Sequence, residues 1–339
     1  MPKVATHQDN SVFAEKTPTP RKKKYLGAIS FVLLLVATFT LLFNYNFIID
    51  TLSTIGYSAS PEIDAIEQRL ALTDSARLVY RASSPALEGR EDFNRHCQSH
   101  SSEVSILGCY TNRAIYLYQI SEPSLNGIVE STAAHELLHG IWARLGAFDQ
   151  AKLSSALQDF YQAHPELAEE LSEYDEDELL DEIHARIGTE YADLPEALEV
   201  HYAKYFQNQD AIVSYYQQYS AEFSNLKNRL EELDATIEEK QSHVERLQAD
   251  YETDASELNS AIDEFNSCAD TPGCFTEATF SARRAELLSA QADLESLYSE
   301  LSTAIDDYNH LVDEYNANVL RSRTLENAVN SNSAPSDNI

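Results

Sequence analysis

The residues best suited to chemistry form one run, His135-Glu136-Leu137-Leu138-His139. Residues four positions apart on a helix share a face, so the two imidazoles are placed to bind one metal ion. Zinc bound there lowers the pKa of a coordinated water towards neutrality. Glu136 lies beside the two histidines and is placed to accept a proton from that water. The spacing therefore predicts a catalytic Zn²⁺ centre with His135 and His139 as metal ligands.

A catalytic zinc ion needs a third protein ligand, and a helix expected over 176–188 carries several candidates. Glu182 is favoured, because it lies beside Leu179 and Ile183, where a half-buried carboxylate needs a partner. Glu178 lies near the start of the helix, where negative charge is favourable even without a metal. Three other candidates stay open, namely Glu178, Asp181 and His184. Glu178 or Asp181 could instead orient a ligating histidine without binding the metal.

The run over residues 129–139 resembles the active-site helix of the HExxH zinc metallopeptidases, the zincins. The resemblance covers residues 105–190, and its five-residue core is the specific part. It implies hydrolysis of peptide bonds, with His135 and His139 as zinc ligands and Glu136 as the catalytic base.

The position of the third ligand distinguishes the branches of that family. The metzincin pattern HExxHxxGxxH is excluded, because Trp142 and Leu145 occupy its glycine and third-histidine positions. A glutamate on a later helix resembles the gluzincin arrangement, although the separation to Glu182 is longer than usual there. Zincins bind peptides by strand addition, which implies that role for a strand over Ala114–Ile120. The family also implies an oxyanion-stabilising side chain, for which the candidates are His184, Tyr191, His201 and Tyr202.

The elements around these residues predict a small α+β, zincin-like domain over residues 50–205. Apolar alternation predicts a β-hairpin from Ser105–Leu107 and Ala114–Ile120. A further short strand is expected over Ala76–Tyr80, after a helix. The metal-binding helix is expected over Ile128–Leu145, and more helices follow to the end of the domain.

Residues 206–327 have a different pattern, with apolar residues spaced by seven in two blocks. The first block is Tyr216, Phe223, Leu230, Ile237, Val244, Tyr251, Leu258 and Phe265. The second block is Phe280, Leu287, Leu294, Leu301, Tyr308 and Tyr315. A compact segment over 267–276 separates them. Heptads on both sides of a short turn predict an antiparallel coiled-coil hairpin, followed by a disordered tail over 328–339.

Residues 25–49 contain no charged residue and are long enough to cross a bilayer as one helix. Four basic residues, Arg21 to Lys24, precede this segment, and Asp50 follows it. The positive-inside rule then predicts a disordered cytosolic tail over 1–24 and a domain outside the cytosol. The expected protein is a single-pass membrane protein whose domain lies on the periplasmic or extracellular side of a bacterial membrane.

All four cysteines follow the apolar segment, as expected for a domain in an oxidising compartment. They form two local groups, which predicts the disulfide bonds Cys97–Cys109 and Cys268–Cys274. Neither spacing matches the CxxC of a structural zinc site. The cysteines therefore indicate the same topology as the basic residues before the apolar segment.

The composition argues against two classes of function. The chain has 56 acidic and 24 basic residues and a net charge of −32, so binding to nucleic acid is not expected. It has nine glycines and neither of the Gly-rich phosphate-binding motifs, which argues against nucleotide chemistry. The expected partners are a protein or peptide substrate, the bilayer through residues 25–49, and a protein partner or second copy through the coiled coil.

Three functions fit these features. The favoured one is a membrane-anchored zinc metalloprotease whose coiled coil binds substrate, a partner or another copy. The second is an envelope scaffold that acts through its coiled coil and carries a vestigial zinc domain. The third is a zinc hydrolase of non-peptide bonds in the cell wall. Glu136 favours an active enzyme, because zinc binds without it and a scaffold has no need to keep it.

Overall fold

The structure is a computed structural model that describes residues 1–4, 22–97, 106–172 and 174–332. Most of the predicted disordered tails over 1–24 and 328–339 lie outside these ranges. The prediction is wrong where they are described, because Lys22 to Lys24 begin a helix and Ser331 is buried on the domain. The helices are α1 (Lys22–Phe43), α2 (Tyr45–Ser53), α3 (Pro61–Arg69), α4 (Asp74–Ala82), α5 (Arg90–His96), α6 (Ile128–Trp142), α7 (Ala147–Ala163), α8 (Pro165–Glu170), α9 (Glu176–Glu190), α10 (Glu196–Tyr202), α11 (Gln209–Ala269) and α12 (Glu277–Val329). The strands are β1 (Ala86–Glu88), β2 (Gly108–Thr111) and β3 (Ala114–Tyr118). The chain is thus mostly helical, with a small sheet and two long C-terminal helices.

The apolar N-terminal segment is not one continuous helix. Asn44 separates α1 from α2, and the two helices differ in direction by 62°. Among the described residues, no one helix is long and apolar enough to cross a bilayer, but the pair Ala28–Leu41 and Tyr45–Ser53 meets both criteria together. The helix predicted over 25–49 is therefore divided. The physical reason is that Asp50 on α2 is buried in the folded domain, which redirects the chain.

The sheet has the strand order β1-β3-β2, with β1 parallel and β2 antiparallel to β3. The predicted hairpin is formed, but its first strand begins at Gly108 rather than within Ser105–Leu107, part of which lies outside the described residues. Its turn consists of Asn112 and Arg113, whose φ angles of 51° and 65° suit the twist of a two-residue hairpin. β3 lies between two strands, so the prediction that Ala114–Ile120 receives a peptide by strand addition is wrong.

Residues 74–82 form helix α4, so the strand predicted over Ala76–Tyr80 is also wrong. The side chain of Thr73 accepts a hydrogen bond from the backbone N–H of Ala76, which caps the helix. Ala76 and Tyr80 are both fully buried, and their four-residue spacing places them on one helical face. A short apolar run is compatible with either element, and here the cap and the packing favour the helix.

Helix α6 runs through the centre of the domain and carries the predicted metal-binding run. Its apolar side is buried, and α9 crosses it closely at Gly188. A Cβ atom at Gly188 would lie 2.4 Å from Cδ1 of Leu138, so only glycine fits this crossing. The close approach brings the acidic side chains of α9 next to the histidines of α6.

Helices α11 and α12 form the predicted hairpin, and the bond Cys268–Cys274 closes the turn between them. The bond Cys97–Cys109 ties the end of α5 to β2, so both predicted disulfides are present. The base of the hairpin packs as part of the domain. The first turn of α11 is buried in the main core, and the end of α12 packs against the start of α6.

Candidate metal centre

Three side chains meet in one cluster between α6 and α9. The Nε2 atoms of His135 and His139 are 3.0 Å apart. The Oε2 atom of Glu182 lies 3.7 Å from Nε2 of His135 and 3.4 Å from Nε2 of His139. In the part of the chain that the structure describes, this is the one group of three or more His, Cys, Asp or Glu side chains suited to hold a metal ion.

The distances in this cluster fit a zinc ion. Zinc binds imidazole nitrogen and carboxylate oxygen at about 2.0–2.2 Å, so two ligand atoms of a tetrahedral site lie about 3.3 Å apart. The three separations, 3.0, 3.4 and 3.7 Å, bracket this value. Two histidines with one carboxylate are also the ligand set of a catalytic zinc site rather than a structural one.

Asp181 holds His139 from the opposite side of its ring. Its Oδ1 atom accepts a hydrogen bond of 2.8 Å from Nδ1 of His139, which leaves Nε2 to face the cluster. Asp181 therefore orients a ligand. Glu178 is exposed one turn earlier on α9, and His184 pairs with another histidine outside the cluster. Of the four candidates for the third ligand, only Glu182 reaches both histidines.

The two oxygens of Glu182 have different neighbours. Oε2 faces the histidines, whereas Oε1 accepts a hydrogen bond of 3.2 Å from Nε of Arg186. Burial by itself would raise the pKa of Glu182, but the two imidazoles outweigh it and hold that pKa well below its ordinary value. Arg186 also pairs with Glu170 and Glu190. Glu182 is therefore fixed in place and ionised, as a metal ligand must be.

The imidazoles themselves are influenced by the carboxylates around them. Burial lowers the pKa of both rings, but Glu182 beside His135, and Asp181 with Glu182 beside His139, reverse this effect. The pKa of His135 is raised above its ordinary value, and that of His139 well above it. A metal ion must displace these protons, because only a neutral imidazole binds metal.

Glu136 lies against the backbone of β2 at the wall of the site. It is 6% exposed, and burial raises its pKa. This approach requires Gly108, since an added Cβ would lie 2.8 Å from Oε1 of Glu136 and 2.6 Å from Cγ2 of Thr132. A carboxylate with a raised pKa is suited to accept and then release a proton. Sequence reasoning missed Gly108, whose one signal is that glycine in a strand often marks a close approach.

The cluster opens into a cavity of about 550 Å³. One wall is the segment 106–110, which includes the start of β2, and another is α9 with Arg186 and Glu190. Tyr174 and Tyr219 complete the lining, and Tyr219 belongs to the coiled-coil arm α11. Among the described residues β2 pairs with β3 alone, so of the two outer edges of the sheet the one beside this cavity is that of β2.

The four side chains considered as oxyanion donors lie elsewhere. His184 and His201 contact each other, and the hydroxyl of Tyr202 donates to the backbone oxygen of His184. The ring of Tyr191 packs against Phe160. None of the four lines the cavity, because packing directs them into the core. The tyrosines that do line it are Tyr110, Tyr174 and Tyr219.

No protein-family model, curated protein or solved structure matches this chain. The function is therefore argued from the site itself. Its features are three ligand atoms at metal-binding distance, a buried carboxylate beside them, and a strand edge along the same cavity.

Proposed function

We propose that the protein is a zinc-dependent peptidase of the zincin type. The observation that carries the proposal is the triangle of His135, His139 and Glu182, with Glu136 beside it in one cavity. A structural zinc site needs neither a base nor a cavity. Hydrolysis of a peptide bond needs both, together with a surface that holds an extended chain.

In this proposal, each side chain around the cavity has a separate role in hydrolysis. Zinc, when bound, supplies a Lewis acid for the scissile carbonyl and lowers the pKa of water. Glu136 accepts the proton of the attacking water, and its raised pKa suits it to deliver that proton to the departing amine. Asp181 keeps Nδ1 of His139 protonated, so that Nε2 faces the cavity. Arg186 holds Glu182 by the oxygen that is turned away from the histidines.

The substrate in this proposal is a polypeptide in extended form. The outer edge of β2 offers backbone groups that pair with an extended chain by strand addition. The cavity beside it then receives a substrate side chain. Its lining has four carboxylates and one guanidinium group, so we expect a basic or neutral side chain there.

We further propose that α1 anchors the enzyme in a membrane and that the domain lies outside the cytosol. The basic run before α1 favours the cytosol for the N-terminus. The bonds Cys97–Cys109 and Cys268–Cys274 support an oxidising compartment for the domain. Of the bent pair, α1 is the part that can enter a bilayer, because α2 packs on the domain, and the uncharged stretch of α1 after Lys24 is about 28 Å long.

A second candidate function is an envelope scaffold that acts through the coiled coil. It is favoured by exposed apolar side chains on α12. Leu288 and Leu320 are 51% and 66% exposed. Such positions suit a partner helix or a second copy. In this second function the zinc domain is vestigial, and Glu136 is not needed.

Metal content and peptidase activity of the full-length protein in detergent separate the two functions. We expect about one zinc ion per wild-type chain and loss of the metal in His139→Ala. Glu136→Gln should retain zinc but lose activity on a peptide library, because the base is removed while the ligands remain. Glu178→Gln should retain both, since that carboxylate is exposed on the same helix as Glu182. Wild-type protein without zinc, or Glu136→Gln with full activity, would refute the peptidase and favour the scaffold.

A further inference from the structure

Helix α2, which follows the apolar helix α1, is docked on the domain by a buried ion cluster. Asp50 of α2 is 3% exposed. Its carboxylate accepts hydrogen bonds of 2.8 and 2.9 Å from Arg144 and of 2.6 Å from Arg113. A buried carboxylate is stable only with such partners. α2 is therefore a fixed part of the domain rather than a flexible linker.

The same cluster reaches the helix that carries His135 and His139 and the strand that forms one wall of the cavity. Arg144 follows the end of α6, and its Nη1 atom donates to the backbone oxygen of Gly140 at 2.7 Å. Nη1 also donates to the hydroxyl of Tyr110, on β2, at 2.9 Å. The side-chain amide of Asn46 donates to the backbone oxygen of Arg144 at 3.2 Å. One arginine thus connects α2, the metal-binding helix and the strand beside the cavity.

These contacts limit the distance between the metal centre and the end of α1. Phe43 ends α1 and lies three residues before Asn46, which touches Arg144. Arg144 lies five residues after His139, a rise of about 8 Å at 1.5 Å per residue. Adding the side-chain lengths and the three connecting residues gives about 35 Å at most, even with every step aligned. The metal centre therefore lies close to the point where the apolar helix ends.

Exposed apolar side chains surround this junction. Phe47 and Leu52 on α2 are 61% and 57% exposed, and Ile55, just after α2, is 74% exposed. Phe148, four residues after Arg144, is 81% exposed. Aromatic and aliphatic side chains next to the end of an apolar helix suit the interfacial layer of a bilayer. The side of the domain that carries α2 therefore fits against a membrane surface.

We infer that the substrates are membrane-anchored polypeptides, cleaved in an extended segment next to their own membrane-spanning helix. The inference rests on the proposed peptidase function and on the proposed anchor. The docked α2 holds the cavity within about 35 Å of the end of α1, so a peptide bond held far above the bilayer is out of reach. A flexible linker before the domain would allow cleavage at many heights, and the buried Asp50 replaces that linker with a fixed contact.

The test uses the full-length protein in vesicles with two anchored substrates. A peptide that the enzyme cleaves in solution is placed about 20 or about 60 Å above a membrane-spanning helix, on a rigid helical spacer continuous with that helix. We expect the near site to be cleaved at least about tenfold faster by the wild type, because the distant site exceeds the reach of the cavity. The matched variant carries about forty Gly and Ser residues between Phe43 and Asn44, which lets the domain rise. It leaves the Asp50 cluster intact, so it should cleave both sites at similar rates and the soluble peptide at the wild-type rate.

The outcomes of this test distinguish the inference from the function on which it rests. Equal cleavage of the two anchored substrates by the wild type would overturn the inference and leave the peptidase intact. A preference for the near site that the inserted linker does not reduce would also overturn it, because the docked helix would then not set the reach. Failure of the wild type to cleave any soluble peptide would refute the peptidase itself, and the inference with it.

Discussion

Asp181 fixes His139 by a hydrogen bond of 2.8 Å from Nδ1, on the side of the ring opposite Nε2, which faces His135. Its neighbour Glu182 lies 3.4 Å from Nε2 of the same ring. Two consecutive residues of α9 thus serve one imidazole in different ways. Asp181 orients the ring and sets its tautomer, whereas Glu182 faces the nitrogen with which it would share the proposed metal ion. If the proposed metal binds here, its affinity should depend on a carboxylate that is not itself a ligand.

We expect Asp181→Asn to weaken zinc binding by about 10–100-fold, because His139 loses the charged acceptor that orients its ring. Competition for zinc with a chelator of known affinity measures the change. Glu178→Gln removes an exposed carboxylate from the same helix and should leave the affinity unchanged. Equal affinities of Asp181→Asn and the wild type would show that this hydrogen bond has no part in metal binding.

Gly108→Ala tests whether the catalytic base depends on the strand that packs over it. The added methyl group would meet Oε1 of Glu136 at 2.8 Å, so the carboxylate must move. A displacement of about 1 Å at a reacting group lowers activity by about a hundredfold. We expect that loss in steady-state peptidase assays, with zinc content unchanged because the ligands are not touched.

The control for this substitution is Gly146→Ala, since a Cβ at Gly146 meets nothing within 4 Å. It should match the wild type in both zinc content and activity. Full activity of Gly108→Ala would show that Glu136 does not need its present position. Loss of zinc together with activity would indicate that the substitution disrupts the whole site rather than the base.

The site residues that could be predicted from the sequence are those indicated by a short stretch of neighbouring residues. His135, Glu136 and His139 share little more than one helical turn, so their spacing alone brings them together. Glu182 follows from the need of a half-buried carboxylate for a partner. The coiled coil is equally local, because its heptads repeat within each arm. Both disulfides join cysteines that are close in sequence, at separations of 12 and 6 residues.

The remaining features depend on contacts between distant segments. Tyr219 reaches the cavity only because α11 packs on α6 and α9. Nothing in the heptad pattern around Tyr219 indicates that it lines a site. The apolar segment is divided at Asn44 because Asp50 pairs with Arg144, 94 residues further along the chain. His184 resembles a site residue in the sequence, yet packing between α9 and α10 turns it into the core. No local pattern determines such contacts.

Asp50→Asn should destabilise the domain, because Arg144 and Arg113 would then lie together without a counter-charge. Removing one partner of a buried ion pair lowers the free energy of unfolding by about 3–5 kcal/mol. Arg113 is 39% exposed, so water compensates part of the loss and we expect the lower end, about 3 kcal/mol. Urea unfolding followed by circular dichroism measures the difference. The control is Asp74→Asn, which removes a fully exposed partner of Arg77 and should unfold like the wild type. If Asp50→Asn and Asp74→Asn unfolded at the same urea concentration, the docking of α2 would be contradicted.

The contact between His184 and His201 makes the fold sensitive to acid. Their Nε2 atoms are 2.9 Å apart, so one ring donates and the other accepts. Burial lowers the pKa of His201 to about 4 and that of His184 well below its ordinary value. In the unfolded chain a histidine titrates near about 6.5. Between pH 6.5 and pH 4 the unfolded chain therefore binds protons that the folded chain does not, and stability falls as the pH is lowered through this range.

We expect His201 alone to account for about 2 kcal/mol of lost unfolding free energy between about pH 7 and pH 5. His201→Asn keeps a hydrogen-bonding side chain, but asparagine does not titrate. The unfolding free energy of this variant should therefore fall by about 2 kcal/mol less than that of the wild type between the two pH values. Urea unfolding of zinc-loaded wild type and variant at both pH values measures the difference, and contributions from groups that do not contact His201 cancel in the comparison. His310→Asn, at an exposed position of α12, is the control and should keep the wild-type pH dependence. The same pH dependence in His201→Asn and the wild type would show that His201 is not held neutral in the folded state.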